Sequence, residues 1–407
     1  MASAPPTLGS LQPARQSHPG TAEELIVRPI PLATALSGAV RSEWDALNAA
    51  SASPYAQYAS PEWVEHVQAT HPEEVLAPVE VKDSLDKLAG IVPLARCDYD
   101  LSCVVRGHVL WSWRVPAIVL LGSDPLIPPA ATTHDRVFAA IGASDPEADA
   151  IYLHSLPTSS FCWSYLQSSA WIRDHFLVHV AAGPRPLHLL QVPCSFDDFV
   201  YGFPRKKRYN LARQVRLLRD HVGGDLRLQR VDTPEQVPMF AEATRSMLRQ
   251  RDARLGRLPD IAADGSKADG LADAARRGLL RSYVLFAGAT PCAVVLGYVW
   301  RHIFHYAEVA YHPHFGAFSP GTVLLYLMIG DLIAHQRPRL LNFAIGDAAY
   351  KRTFSNVQLE DASVLLLRKG IVNSLRRASH AQFLALMRGA HWALDAWPAL
   401  QARLGQH

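Results

Sequence analysis

The sequence predicts a mixed α/β protein built as two successive halves, each a sheet flanked by helices, with a helical tail at the end. Three observations carry that expectation. Strand-like and helix-like patterns alternate over residues 25–192, and a second such series runs from 204 to 368. A chain of 407 residues exceeds the size of one ordinary core. Apolar residues make up 49% of it against 19% charged ones, the balance of a folded protein and not of a disordered one.

In the first half, Leu25–Ile30 reads as a strand and Arg41–Ala50 as a helix. Ser60-Pro61-Glu62 opens the next helix: Ser60 offers an N-cap oxygen, and Pro61 sits where a missing N–H is harmless. Val75–Val81, Ala89–Arg96 and Val115–Leu121 follow as strands. Residues 132–142 suit a helix, Ala150–Leu156 a strand and Thr158–Ala170 a helix. Phe176–Ala181 and Leu187–Val192 read as a closing strand pair.

The second half opens with a basic helix, Pro204–Val222, whose apolar stripe is Leu211, Val215 and Leu218. Leu226–Val231 is a strand; Pro234–Arg251 and Leu271–Gly278 look helical around a Gly/Asp-rich loop at 256–270. Ser282–Ala287, Ala293–Trp300 and Ile303–Tyr311 form a β-meander. An apolar helix over 321–335, strands at 340–344 and Ser363–Arg368, and a helical tail over 371–404 complete the chain. No repeat shows in the sequence itself, so any kinship of the halves is one of layout. The boundaries expected are a flexible tail at 1–23, domains at 24–195 and 196–370, and a basic amphipathic tail at 371–407.

Composition narrows the function classes. Five cysteines without CxxC spacing argue against a disulfide framework and a Cys-based zinc site, and suit a reducing compartment. Residues 1–23 have no apolar segment of the signal-peptide kind, and the longest apolar run, Val323–Ile329, is far short of a membrane span. A cytoplasmic protein is expected. The net charge of +3 does not by itself imply nucleic acid, but nine Lys/Arg face only Asp220 and Asp225 over 201–230, and six face only Asp395 from 368 onward.

Chemistry concentrates at 311–354. After the third meander strand, Ser319-Pro320-Gly321-Thr322 opens the apolar helix, and a helix N-terminus offers free N–H groups to an anion. An ordinary helix start explains the same residues through backbone geometry. By two-residue alternation Glu308 shares a strand face with Phe304, Tyr306 and Ala310; among aromatic rings its pKa should rise, which suits a general base. A solvent-facing acid is the other reading. Asp347, Tyr350 and Lys351 follow the next strand. Either Asp347 and Lys351 are simply an i,i+4 ion pair, or the three form a site in which Tyr350 reprotonates the leaving thiolate as general acid, Lys351 stabilises an oxyanion and Asp347 orients it or holds the acceptor. Arg205–Arg208, Arg213, Arg216 and Arg219 form a solvated basic face or a guide for an anionic acceptor. Aromatic interleaving there is sparse, so no sequence-specific nucleic acid is expected. His302, His305, His312 and His314 lack the geometry and companions of a ligand set, and no metal is expected. The tail, with Trp392 and Trp397, packs on its own domain or meets a membrane surface or protein complex.

The basic helix PRKKRYNLARQVRLLRD, the strands of SYVLFAGATPCAVVLGYVW, SPGTVLLYLMI and GDAAYKRTF, in that order over roughly 196–355, resemble GNAT acyltransferases of the CelD/BcsL type, which carry a BioF2-like acetyltransferase domain and are related to Fem peptidyltransferases. Trp44 and Ser60-Pro61-Glu62-Trp63 resemble that family's N-terminal half. The resemblance implies tandem GNAT-like domains with mixed central sheets. It implies acyl transfer, acetyl foremost, from acyl-CoA to an amine or hydroxyl of a small or exopolysaccharide-related acceptor. Phe318, Ser319, Pro320, Gly321 and Thr322 would hold the cofactor, in place of the family's Gln/Arg-x-x-Gly-x-Gly/Ala turn. Glu308, Asp347, Tyr350 and Lys351 would be catalytic, and Arg208, Tyr209 and Tyr306 would meet the acceptor. The Fem branch implies aminoacyl-tRNA as the alternative donor; a non-catalytic scaffold for polysaccharide synthesis is a third reading.

Overall fold

A computed structural model describes residues 25–105, 108–255 and 265–404. The expected flexible tail and residues 256–264 of the expected loop lie outside the described residues, as do the side chains of Trp392 and Trp397. In chain order the elements begin with β1 (Ile26–Pro29), α1 (Leu32–Ala35), α2 (Gly38–Ala50) and α3 (Pro61–Thr70). Next come β2 (Val75–Lys82), β3 (Leu88–Val105), β4 (His108–Leu120), α4 (Ala131–Ser144) and β5 (Ala150–Pro157). Then follow α5 (Phe161–Ser168), α6 (Ala170–His175), β6 (Phe176–Gln191), α7 (Phe196–Tyr201), α8 (Arg205–His221) and β7 (Leu226–Val231). The last stretch holds α9 (Val237–Leu255), α10 (Gly265–Arg276), β8 (Ser282–Ala287), β9 (Thr290–Trp300) and β10 (Ile303–Tyr311). It closes with α11 (Pro320–His335), β11 (Leu340–Ile345), α12 (Ala349–Phe354), β12 (Val357–Arg368) and α13 (Ile371–Leu404).

The fold is the mixed α/β class expected, and the contacts divide it into two units. The first comprises Met1–Ser51, Glu74–Pro184 and Asp361–His407; the second comprises Ala52–Glu73 and Arg185–Glu360. A single cut at 195/196 therefore does not describe the chain. Residues 52–73 join the second unit because Ala56 and Trp63 pack with Phe240, Val284 and Val294. The strand pair expected at 176–192 is one strand, β6. The helix expected over 158–170 is two, each started by its own serine: Ser160 accepts from Trp163 N–H and Ser169 from Ile172 N–H.

In the first unit the strand order is β1-β2-β3-β4-β5-β12, with β4 and β5 parallel and the other pairs antiparallel. Alternation sends Ile118, Leu153 and Leu366 to one face, against Phe138 and Ile141 of α4; it sends Ala117, Tyr152, Leu365 and Leu367 to the other. The second unit has the order β7-β8-β9-β10-β11-β6, again antiparallel except for the pair β10 and β11. One face of its sheet packs on α8 and α11 through Leu211, Val215, Leu218, Leu324 and Met328, so the predicted stripe of the basic helix is its buried side. The opposite face packs on α9 and α10 through Phe240, Met247 and Ala274. Both units thus repeat one layout, a three-stranded meander, a helix, and a strand parallel to the meander's last member. The repetition hidden in the sequence is present in the topology.

Candidate functional site

The second unit opens where β10 and β11 part. The two strands pair only through Ile303↔Leu340, Phe304↔Leu341 and His305↔Asn342, while β10 continues to Tyr311. Buried Asn342 fixes the point of separation. Its Nδ2 donates to Pro54 O at 3.0 Å and its Oδ1 accepts from Ala344 N–H at 2.8 Å. Ala344 and Gly346 both have positive φ, at 55° and 100°, and β11 bulges against β6 between Asn342 and Ile345.

Three aromatic rings fill the gap on the α8/α11 face. Tyr306 of β10 lies 5.8 Å from Phe343 and 6.0 Å from Tyr350 between ring centroids, and Phe343 and Tyr350 are 6.4 Å apart. The Tyr306 and Tyr350 hydroxyls are hydrogen-bonded to each other, and burial pushes both phenols above their ordinary range. Tyr350 is therefore a protonated phenol at neutral pH, the state a general acid needs.

The predicted trio of Asp347, Tyr350 and Lys351 is gathered around this turn, with different pairings from those expected. Lys351 is buried, and its Nζ donates to Ala344 O at 3.2 Å and Ile345 O at 2.6 Å. Its charge holds the positive-φ bend. The Asp347 partner is not Lys351 but Arg352 on one oxygen and His188 Nε2, at 3.0 Å, on the other. Burial pushes the Asp347 carboxyl up, and the hydrogen bonds from His188 and Arg352 outweigh it, leaving the group below its ordinary value. His188 is buried on β6, and its Nδ1 reaches Ser355 Oγ at 3.3 Å. Sequence reasoning missed His188. It lies in the apolar run Leu187–Leu190 with a partner 159 residues away, and no local spacing marks it.

Glu308 is the clear departure. A β-bulge between Tyr306 and Glu308, where Tyr306 faces Gly297 and Glu308 faces Leu296, breaks the alternation. Phe304, Tyr306 and Val309 therefore pack on the α8/α11 side, whereas Ile303 and Ala310 pack on the other. Glu308 shares the face of Ala310 as expected, but not that of Phe304 and Tyr306, and it is exposed rather than enclosed among those rings. Its aromatic neighbour is Tyr298, whose hydroxyl is pushed up by burial and by the Glu308 charge. Behind Tyr298 stand Trp63, edge-on at 5.3 Å, and Tyr58, 4.7 Å from Trp63.

The expected cofactor turn follows β10. Residues Pro313–Phe318 form a 3-10 turn, and Ser319 adopts φ 53° at the start of α11. Pro320 has no N–H, and Thr322 and Val323 both donate to Ser319 O. Among the described residues, the Gly321 N–H is thus the first-turn amide left for a ligand. A Cβ on Gly321 would meet only Tyr311, at 3.9 Å, so the surface above this turn is open. Phe318 stacks on His221 at 4.4 Å, which brings the end of the basic helix α8 beside the turn. Arg208 lies 5.0 Å over the Tyr201 ring, and Tyr209 is exposed with Arg216 over it. The structure does not bring Arg208 or Tyr209 into contact with Tyr306, which is buried between β10 and the α8/α11 layer.

A meander, a helix started by a small-residue turn, a parallel strand that diverges and a tyrosine pair at the divergence define the class: a GNAT-type acyltransferase fold, present twice in layout. The comparisons agree at that level. The profile of the acetyltransferase (GNAT) domain matches residues 205–352. No curated protein matches the chain. Among solved structures, FemX aligns with a TM-score of 0.55 at 12% identity, covering 81% of this chain and 96% of that one. A conserved protein of unknown function from Bacteroides thetaiotaomicron VPI-5482 aligns with a TM-score of 0.50 at 9% identity, covering 84% and 99%. Both likenesses concern the fold. Among the described residues no helix is long and apolar enough to cross a membrane.

Proposed function

We propose that the second unit transfers an acyl group, acetyl foremost, from acyl-CoA to an amine or hydroxyl by direct attack in a ternary complex. The observation that carries this reading is the bulge in β10. It places Tyr306, bonded to Tyr350, on one face of the parting strand and Glu308 on the other, just ahead of the α11 turn. Glu308 takes the proton of the attacking N–H or O–H as the new bond to the acyl carbon forms. The C–S bond breaks, and the leaving thiolate takes the Tyr350 proton. The Phe318–Thr322 turn, through Gly321 N–H and the positive helix end, faces the pyrophosphate. The acceptor class, a glycan precursor or other small molecule of envelope polysaccharide synthesis, rests on the CelD/BcsL resemblance of the sequence. Calorimetry with acetyl-CoA tests the donor: saturable binding is expected, lost in Gly321→Trp with the melting temperature kept. Absence of binding by the wild-type chain sinks the reading.

One observation favours a second donor. Among the described residues, none of Arg205, Lys206, Lys207, Arg213 or Arg216 on α8 has a carboxylate partner, a surface suited to a polyanion such as aminoacyl-tRNA. Filter binding of charged tRNA with a steep inverse salt dependence, together with no acetyl-CoA binding, would select it.

A further inference from the structure

We propose that the first unit carries a docking surface for anionic lipid bilayers, formed by the far end of the β3–β4 ribbon and the outer face of α13. The neighbours of the ribbon end early. β2 pairs with β3 only over Leu88–Ala95, and β5 pairs with β4 only over Ala117–Val119. Beyond those positions, among the described residues, the two strands pair only with each other, from Asp98↔Pro116 out to Val105↔His108. A two-stranded ribbon in water normally turns polar residues outward. This one ends instead in Val109, 59% exposed, and Leu110, 58% exposed, the latter at a bulge; exposed Val104 and Val109 pair on one face, and exposed Trp111, opposite Cys103, lies on the other. Apolar side chains on both faces of a projecting tip suit insertion into an apolar medium better than lateral packing.

Helix α13 lies against this ribbon. Phe383 meets Trp111 with ring centroids 5.5 Å apart, His380 pairs with His179 at 2.9 Å, and Arg376 binds Asp149 at 2.6 Å. Asn373, Arg376, His380 and Phe383 thus form its packed side. The opposite side is apolar and open: Ile371 is 83% exposed, Leu375 66% and Leu386 73%, aligned by helical spacing and flanked by exposed Lys369 and Arg377.

Charge identifies the occupant. Among the described residues the exposed cations beside these apolar side chains are Lys369, Arg377 and Arg114, the last paired with Asp98, and the sequence carries no Asp or Glu between Asp100 and Asp124 or between Asp361 and Asp395. A second copy would set basic against basic. An anionic headgroup layer attracts the same residues, and the aliphatic and Trp side chains reach the acyl boundary.

Vesicle sedimentation of the full chain tests this, with phosphatidylcholine alone and with roughly 30 mol % phosphatidylglycerol added, where at least about tenfold more binding to the anionic vesicles is expected, weakening as salt rises. Leu110→Asp and Leu375→Asp, both at exposed positions, should each reduce that binding about tenfold with an unchanged melting temperature. Equal binding to both vesicle types overturns the proposal, as do variants that bind like the wild type. A dimer in sedimentation velocity that Leu375→Asp dissolves also overturns it, and assigns the surface to a second copy.

Discussion

Replacing Lys351 with Met separates two uses of one buried ammonium. Catalysis would aim Lys351 at a substrate oxygen, whereas the geometry aims it at the chain itself. Nζ lies 3.2 Å from Ala344 O and 2.6 Å from Ile345 O, and the residue is 7% exposed. Those carbonyls belong to a bend in which Ala344 and Gly346 have φ of 55° and 100°. An alanine held there costs roughly 1–2 kcal/mol, so the bend needs an external hold. Met fills the volume of the stem and leaves two buried carbonyls without their donor. Two charge-assisted bonds at about 1.5–3 kcal/mol each, less the relief of not burying an ammonium, leave a net loss of about 3 kcal/mol. For a unit of this size that is a fall of roughly 6–12 °C in melting temperature. Thermal unfolding followed by circular dichroism measures it. A melting temperature within a degree of the wild type, combined with a large loss of turnover, would refute the structural role and return Lys351 to the oxyanion.

Tyr350→Phe keeps the ring that packs on Tyr306 and Phe343 but removes the proton donor, so CoA release should fall about a hundredfold with no change in unfolding; unaltered turnover removes Tyr350 from the chemistry. The buried His179 imidazole, pushed down to about 4 by burial and by its His380 and Arg377 neighbours, makes the first unit acid-sensitive. Its folded pKa lies below the unfolded value, so its contribution is complete above about pH 6.5 and is lost as pH falls toward 4, by roughly 3 kcal/mol in all. His179→Phe should flatten that dependence in denaturant titrations, and an unchanged pH profile would show that another group governs it. Asp273→Ala strips His66, Arg276 and Arg277 of a shared, mostly buried carboxylate and should cost about 3 kcal/mol in chemical denaturation; a change below 1 kcal/mol counts against the network.

Much of this fold is legible because its signals are local. Leu211, Val215 and Leu218 fall on one helical stripe, and Ser282–Ala287 and Ile303–Tyr311 read as strands from composition and alternation alone. What the residues do not display is where alternation breaks. Nothing in Tyr306-Ala307-Glu308 marks a bulge, since bulges are set by the partner strand, and this one reversed the face assigned to Glu308. The ribbon at 97–114 was equally hidden. Its exposed Val and Leu look like core residues to any rule that equates apolar with buried. The His188–Asp347 and His66–Asp273 pairs join residues 159 and 207 positions apart and are products of topology.

The shared layout of the two units makes the position after β4 the counterpart of the α11 turn, and the first unit fills it differently. Residues 122–130 cross back over β3: Ile91 N–H donates to Leu126 O at 2.8 Å, and a Cβ on Gly90 would meet that same oxygen at 2.7 Å. Gly90 is thus required for the crossing segment to lie down on the strand. Beside it Asp124 has its carboxyl pushed up to about 7 by burial, against the lowering pull of its Ser160 hydrogen bond. Above neutral pH that group is an anion on the segment that leads into α4. A pyrophosphate approaching α4 meets a strapped loop; one approaching α11 meets an amide and open surface. Donor binding should therefore saturate at one equivalent per chain and vanish in Gly321→Trp. Two equivalents in calorimetry, or residual binding in that variant that Asp124→Asn strengthens, would mean the first unit has kept its site.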